Sequence, residues 1–323
     1  MIKCLAVFSL AAMAASALPT PRSGFASDLV EVGLSDTPAA TPAPFATPAP
    51  EASPKPDASP ASDPSCSGVT FTRDVKYGTD NLNVLDAATA QTRPGAKRPV
   101  VVFVAGDSFA GGGDEAAMKP LVERAMCFAA DKGLVAFHVS YRVAPAATWP
   151  AAAKDVGAAI SWIYENADLF GGNAQEIIPI GYGTGAFHVA SFLAHKEFQE
   201  RDDHVAGAVL VSGVYRPASG AGEGDRAYFG ADTSTYDSRS AIPGLTAIEE
   251  PIVLAWSQAD APRFIAQGEK LKQMLCDAGH CPRTSVLTRP TSPASVFDLD
   301  GESADLHERL RQLIGQIDAR GLP

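Results

Sequence analysis

The sequence predicts an α/β fold built on a mainly parallel central sheet with helices on both faces. Three observations carry this. From about residue 67 onward, short apolar runs alternate with longer amphipathic stretches, the order expected when each strand returns through a crossover helix. Runs such as RPVVVFVAG and EIIPIGYG are apolar without a polar alternation, as strands covered on both faces are. Glycine closes both runs where the chain must turn.

Each element follows from local pattern. VTFTRDVKYG and NLNVLDA read as two strands around a polar turn, and RPVVVFVAG as a buried strand. DEAAMKPLVERAMCFAADKG reads as a helix that Gly133 suits at its end. GLVAFHVSYR is the next strand. PAAAKDVGAAISWIYENA places Val156, Ile160 and Ile163 on one helical stripe. EIIPIGYG is a strand, GAFHVASFLAHKEF a helix and HVAGAVLVSG a strand. Residues 214–248 are poor in strand signals. PIVLAWSQAD (strand), PRFIAQGEKLKQMLCDAG (helix), TSVLTRP (strand) and the amphipathic SADLHERLRQLIGQI complete the domain. In such sheets the working edge is the carboxyl ends of the strands.

Three regions are expected. Residues 1–26 read as an export signal: Lys3, the apolar CLAVFSLAAMAASAL, and small-residue sites that place cleavage after Ala17 or Ala26. Residues 27–65 form a Pro/Ala-rich disordered linker, with nine prolines between Pro38 and Pro64. Residues 66–323 form the folded domain. Export to the periplasm or medium is the expected location, with membrane contact only through an uncleaved N-terminal segment. The formal charge of −11 argues against nucleic acid and anionic membrane surfaces as partners. Beyond the signal, Cys66, Cys127, Cys276 and Cys281 form an even set, which in an exported chain suggests disulfides. Three pairings are open; closeness in sequence favours Cys276–Cys281, leaving Cys66 with Cys127.

Several stretches, in order, resemble the α/β-hydrolase superfamily, in the carboxylesterase branch with hormone-sensitive-lipase-like and kynurenine-formamidase-like enzymes. VVFVAGDSFAGG sits where the family has a strand and H-G-G-G. SYRVAPAATWPAAAKDVGAAISW resembles Y-R-x-A-P followed by an acidic residue before a helix. GYGTGAFHVASFLAH resembles the nucleophile elbow, YFGADTSTYDSRSAIPGL the segment that caps the pocket, and AWSQADAPRF the strand end presenting the acid. The resemblance covers roughly residues 69–318 and implies an α/β-hydrolase fold with a small cap segment.

The resemblance also implies a site, taken here position by position. The nucleophile serine of G-x-S-x-G matches Gly183, which has no side chain. The base histidine matches Ser292, or Pro293 after a one-residue shift, and no histidine lies between His280 and His307. Asp260 matches the acid; alternatively it serves as a turn or helix-capping residue before Pro262. H-G-G-G becomes Ala105-Gly106-Asp107-Ser108, so Asp107 brings charge and bulk to the oxyanion-hole region of Gly106, Asp107, Ser108 and Thr184. Thr184 reads as a first-turn helix residue rather than a substitute nucleophile. His280 is expected at the opposite sheet edge and His307 at the surface. His138, His188, His195 and His204 read as structural or surface residues.

Losing a triad serine or histidine lowers turnover about a millionfold. The sequence therefore predicts a pseudoenzyme that keeps the fold and binds a small, partly apolar ligand or a protein partner, with no cofactor and no metal. The alternative is an ester hydrolase of low efficiency with an unusual nucleophile: Ser108, in the GDSL-like Gly106-Asp107-Ser108 with Asp277 and His280, or a loop serine. A third expectation is a binding protein for a cell-wall or membrane partner, positioned by the linker.

Overall fold

The computed structural model describes residues 66–91, 95–110, 115–199, 205–218, 222–297 and 304–320. The export segment and the proline-rich linker lie outside the described residues.

The alternating runs fold as their patterns require. The strands are β1 (Val69–Lys76), β2 (Val84–Ala90), β3 (Arg98–Gly106), β4 (Val135–Val139), β5 (Gly172–Gly183), β6 (Ala208–Val211), β7 (Ile252–Ser257) and β8 (Arg283–Leu287). They form one sheet in the order β1-β2-β4-β3-β5-β6-β7-β8. β1 pairs with β2, and β2 with β4, antiparallel; from β4 to β8 every pairing is parallel. The main helices are α1 (Glu115–Asp131), α2 (Ala151–Asn166), α3 (Thr184–Ala194), α4 (Glu223–Phe229), α5 (Ile242–Leu245), α6 (Pro262–Asp277) and α7 (Ala304–Arg320).

Two apolar cores flank the sheet. On β3, Val100, Val102 and Val104 join the core with Val156, Ile160 and Ile163 of α2 and Phe187 of α3. Val101 and Phe103 join Met118 and Val122 of α1 and Leu306, Leu310 and Leu313 of α7. The two-residue period of the strand divides its side chains between the cores, so a run without polar residues is what this position demands.

β4 is shorter than the sequence pattern predicts, and side-chain chemistry explains where it stops. Tyr141 turns its hydroxyl to the Ala105 carbonyl at 3.0 Å. Arg142 donates through its backbone N–H to Asp155 Oδ2 at 2.9 Å and through Nη2 to Asp155 Oδ1 at 2.7 Å. Asp155 is buried on α2, so the acidic residue after Y-R-x-A-P anchors the β4–α2 connection.

Disulfides join Cys66 to Cys127 and Cys276 to Cys281. The first spans 61 residues and the second 5. Chain-entropy reasoning assigns them about 4 and about 2 kcal/mol respectively. Among the described residues no helix is long and apolar enough to cross a membrane. Between β6 and β7, residues 214–248 contain α4, α5 and short 3-10 turns, the position of a cap over the carboxyl edge.

Candidate functional site

The sheet register brings the elbow and the altered glycine loop side by side: Gly106 at the end of β3 pairs with Gly183 at the end of β5. Gly183 sits at φ 59°, ψ −124°, a left-handed region that residues with a Cβ enter only under strain. The strand–turn–helix shape that the sequence matches to a nucleophile elbow is present, and its apex carries no side chain. Thr184, the first residue of α3, is buried and donates from Oγ1 to the Ser108 carbonyl at 3.3 Å. A Cβ built on Gly106 would run into the hydroxyls of Tyr141 and Thr184. The space beside Gly106 is therefore occupied by the protein's own hydroxyls. Asp107 is half-buried and, with Ser108, lines a cavity of about 220 Å³ toward β2 and β4.

Above the elbow helix the site is aromatic. Phe109 stacks on Tyr228 of the cap at 5.3 Å and meets Phe187 edge-on at 5.4 Å. His188 lies in this cluster, 4.8 Å between ring centroids from Tyr141 and 5.3 Å from Tyr228. It is fully buried, and its Nδ1 has no hydrogen-bond partner among the described residues. Burial in apolar surroundings pushes its pKa down to about 3, so the ring is neutral over the physiological range.

The acid side of the edge is built differently. Asp260, just past β7, is 6% exposed. Its Oδ2 accepts from Ser212 Oγ at 2.7 Å and from the Ser257 N–H at 2.9 Å. Ser212 Oγ also meets Thr291 Oγ1 at 2.7 Å, and Tyr182 donates from its hydroxyl to the Thr291 carbonyl at 2.9 Å. An ionised carboxylate only accepts, so the Ser212 hydroxyl donates its hydrogen bond to Asp260 and Thr291 donates to Ser212. Burial raises the Asp260 pKa from its usual value, against the lowering effect of these two donors. Asp260 does not cap α6, whose N-cap is Ala261 without a side-chain bond; it closes the turn by holding Ser257.

The residue beside the acid network is Thr291. Next in sequence, Ser292 donates through its backbone N–H to Ser295 Oγ at 2.9 Å, and Pro293 opens a 3-10 turn over Pro293–Phe297. Among the described residues no imidazole enters this network. His138 lies on β4 and lines the same cavity as Ser108, with its pKa pushed down to about 4 by burial. No hydrogen bond joins the two; Ser108 Oγ accepts from the Ala110 N–H at 3.2 Å. His280 lines a separate cavity with Glu249 and Arg283, where β8 begins. His195 approaches Glu197 at 3.3 Å. His307 is half-buried rather than at the surface, its Nδ1 3.3 Å from the Val296 carbonyl, because α7 packs on the turn that carries Val296. His204 lies outside the described residues.

Comparison with known proteins agrees with this architecture. The BD-FAE family model matches residues 85–213, the stretch from β2 through the elbow to Ser212 and Gly213. Over these residues the chain is similar to that family, and its fold is the α/β-hydrolase fold. This hydrolase-fold chain is 29% identical over 210 residues to esterase LipQ of Mycobacterium tuberculosis, covering 62% of itself and 48% of that relative. It is 34% identical over 113 residues to esterase LipC of the same organism, covering 35% of itself and 27% of that relative. It thus spans about half or less of the length of these relatives. Among solved structures, esterase B from Lactobacillus rhamnosis superposes with a TM-score of 0.66 at 15% identity, over 78% of this chain and 87% of that one. A carbohydrate esterase from gut microbiota superposes at 0.63 and 16% identity, over 76% and 96%. At such identities the structural likeness speaks for the fold alone.

Residue-by-residue matching left three contributors out: Tyr141, Ser212 and Thr291. Ser212 is fully buried at φ 48°, a conformation uncommon for a residue with a side chain. Its one trace in the sequence is a serine–glycine pair closing the run AVLV.

Proposed function

We propose that this hydrolase-fold chain is an exported, catalytically inactive relative of carboxylesterases that binds a small, partly apolar ligand or a protein partner. The observation that carries the proposal is the elbow: Gly183 holds a nucleophile's backbone shape without a nucleophile. The acid's partners agree with it, since Asp260 faces hydroxyls where a triad needs an imidazole. Serine and threonine hydroxyls titrate far above neutral pH and cannot act as the general base. The oxyanion-hole region agrees as well, because the Tyr141 and Thr184 hydroxyls crowd Gly106 where a developing negative oxygen would need open backbone N–H groups. Export is supported by the two disulfides, which persist in oxidising compartments, together with the N-terminal sequence.

The test is ester turnover and active-site labelling. Purified chain is expected to hydrolyse p-nitrophenyl acetate and butyrate no faster than buffer, and to take up no fluorophosphonate probe. Turnover abolished by Ser108→Ala or Ser212→Ala would replace the inactive reading with that of a slow esterase using the named serine.

A further inference from the structure

Helix α6 has two distinct faces. Phe264, Gly268, Leu271 and Leu275 are buried toward the sheet, and a Cβ at Gly268 would meet the Trp256 ring at 2.7 Å. Arg263, Ala266, Gln267, Lys270 and Met274 recur at helical spacing on the adjoining stripe. With Arg216, Asp237, Ser240, Ile242 and Pro243 of the cap segment they line a crevice of about 620 Å³, within the range of about 300–1,000 Å³ that small-molecule sites occupy.

The crevice is held in shape by Gln267. Its Oε1 accepts from the Tyr215 and Arg216 N–H groups, each at 3.0 Å, and its Nε2 donates to the Arg216 carbonyl at 2.8 Å. One side chain thus pins the cap to α6. Ile242, Pro243, Ala266 and Met274 make the walls apolar, and the lining carries three cations, Arg216, Arg263 and Lys270, against one carboxylate, Asp237. That balance opposes the chain's net charge of −11. Arg216 donates through Nε and Nη2 to Asp237 Oδ1 at 3.1 and 2.6 Å, and Arg263 stands 3.5 Å from Asp225. Lys270 is exposed and has no ion pair among the described residues. The Arg216–Asp237 pair is largely exposed, and such pairs are worth about 0–1 kcal/mol, so a second carboxylate competes for it readily.

We infer that this crevice binds an amphiphilic carboxylate, an acyl chain laid along Ile242, Pro243 and Met274 with its head group on Lys270 and Arg216. Guanidinium and ammonium groups recognise carboxylates by charge-assisted hydrogen bonds, and the apolar walls supply the area term. None of the crevice residues belongs to the elbow or to the Asp260 network. The inference rests on the ligand-binding part of the reading above and not on the loss of catalysis.

Calorimetric titration of the full chain with decanoate tests it, with decanol and decyltrimethylammonium as head-group controls. Decanoate is expected to bind saturably at one site, and both controls about tenfold more weakly or less. Lys270→Glu combined with Arg216→Glu is expected to weaken decanoate binding at least about tenfold. Ala266→Trp, at an exposed position, fills the crevice and is expected to abolish binding. Lys272→Glu changes the same charge on α6 outside the crevice lining and is expected to leave affinity within about twofold. Circular dichroism checks that each variant is folded. Equal affinity for decanol, wild-type affinity in the charge-reversed or filled variants, or no binding up to about 1 mM decanoate would overturn the inference. Ester turnover alongside charge-dependent binding would overturn only the inactive reading and leave this one standing.

Discussion

The two ends of the same carboxyl edge are built on opposite principles. At β3 and β5 the elbow keeps its backbone geometry and is surrounded by rings and by two hydroxyls bonded to carbonyls. At β6, β7 and β8 the acid keeps its side chain and sits in a chain of hydroxyls, Thr291 to Ser212 to Asp260. One end has a sharp turn with no side chain at its apex; the other has a buried carboxylate held by hydroxyls. The difference teaches that the parts of one sheet edge are held for separate structural reasons. The Gly183 turn persists because α3 must start there, close against β3. Asp260 persists because it closes the β7 turn and satisfies Ser212.

The largest expected effect sharpens the elbow side. A Cβ on Gly185 would strike the backbone carbonyl of Val104, and backbone does not yield as a side chain does. Gly185→Ala is expected to lose about 3 kcal/mol, read as a lower urea midpoint.

On the acid side, Asp260→Ala leaves the Ser212 hydroxyl and the Ser257 N–H without their acceptor, and is expected to lose about 2–3 kcal/mol. Asp260→Asn can turn its single amide oxygen toward Ser212 and the Ser257 N–H and removes the buried charge. The native carboxyl titrates above its unfolded value near 3.9, so between the two values the native state binds the proton more tightly than the unfolded state. Wild-type stability therefore falls as pH rises through that window. Asp260→Asn is expected to flatten this limb to the part left by Asp225, whose pKa burial also raises. An unchanged slope would mean that Asp260 is not the buried charge of this edge.

The comparison breaks if chemistry returns too easily. Gly183→Ser is expected to lose about 1–2 kcal/mol from strain at positive φ and to gain no ester turnover, because among the described residues no hydrogen bond or network places a base at this turn. Gly183→Ser with Thr291→His, which places an imidazole on the Asp260 network, is expected to exceed the single variant about a hundredfold on p-nitrophenyl acetate. Turnover by Gly183→Ser alone would reveal a base outside the network described at this edge.

The last expected effect concerns acid. His188 is neutral in the native state, with its pKa near 3, and binds protons near 6.5 when unfolded. Stability therefore falls as pH drops from about 6.5 toward 3, and His138, lowered to about 4, adds a limb of the same sign. His188→Phe is expected to shrink the acid-induced loss, measured as melting temperature between pH 4 and 7, and to leave the His138 contribution.

Much of this was legible in residue order. Strand β3, helix α2 and the elbow follow from runs and spacings that local physics reads directly: five apolar residues before a glycine, a stripe at Val156, Ile160 and Ile163, and a glycine turn entering a helix. The glycine at the apex of the turn was equally legible, since residue type is read directly from the sequence. The partners of Asp260 were not, because Ser212 and Thr291 are 48 and 31 residues from it in sequence and meet only when β6, β7 and β8 align.

The sequence alone determined the alternating layers, the glycine at position 183 and the lack of a histidine between His280 and His307, because each is a property of residue type and order. Only the tertiary structure decided that Tyr141 and Thr184 crowd Gly106, that Thr291 rather than Ser292 stands beside the acid network, and that α6 and the cap enclose a cationic crevice. Those are distances between segments far apart along the chain, fixed by sheet register and helix packing, and no local pattern encodes them.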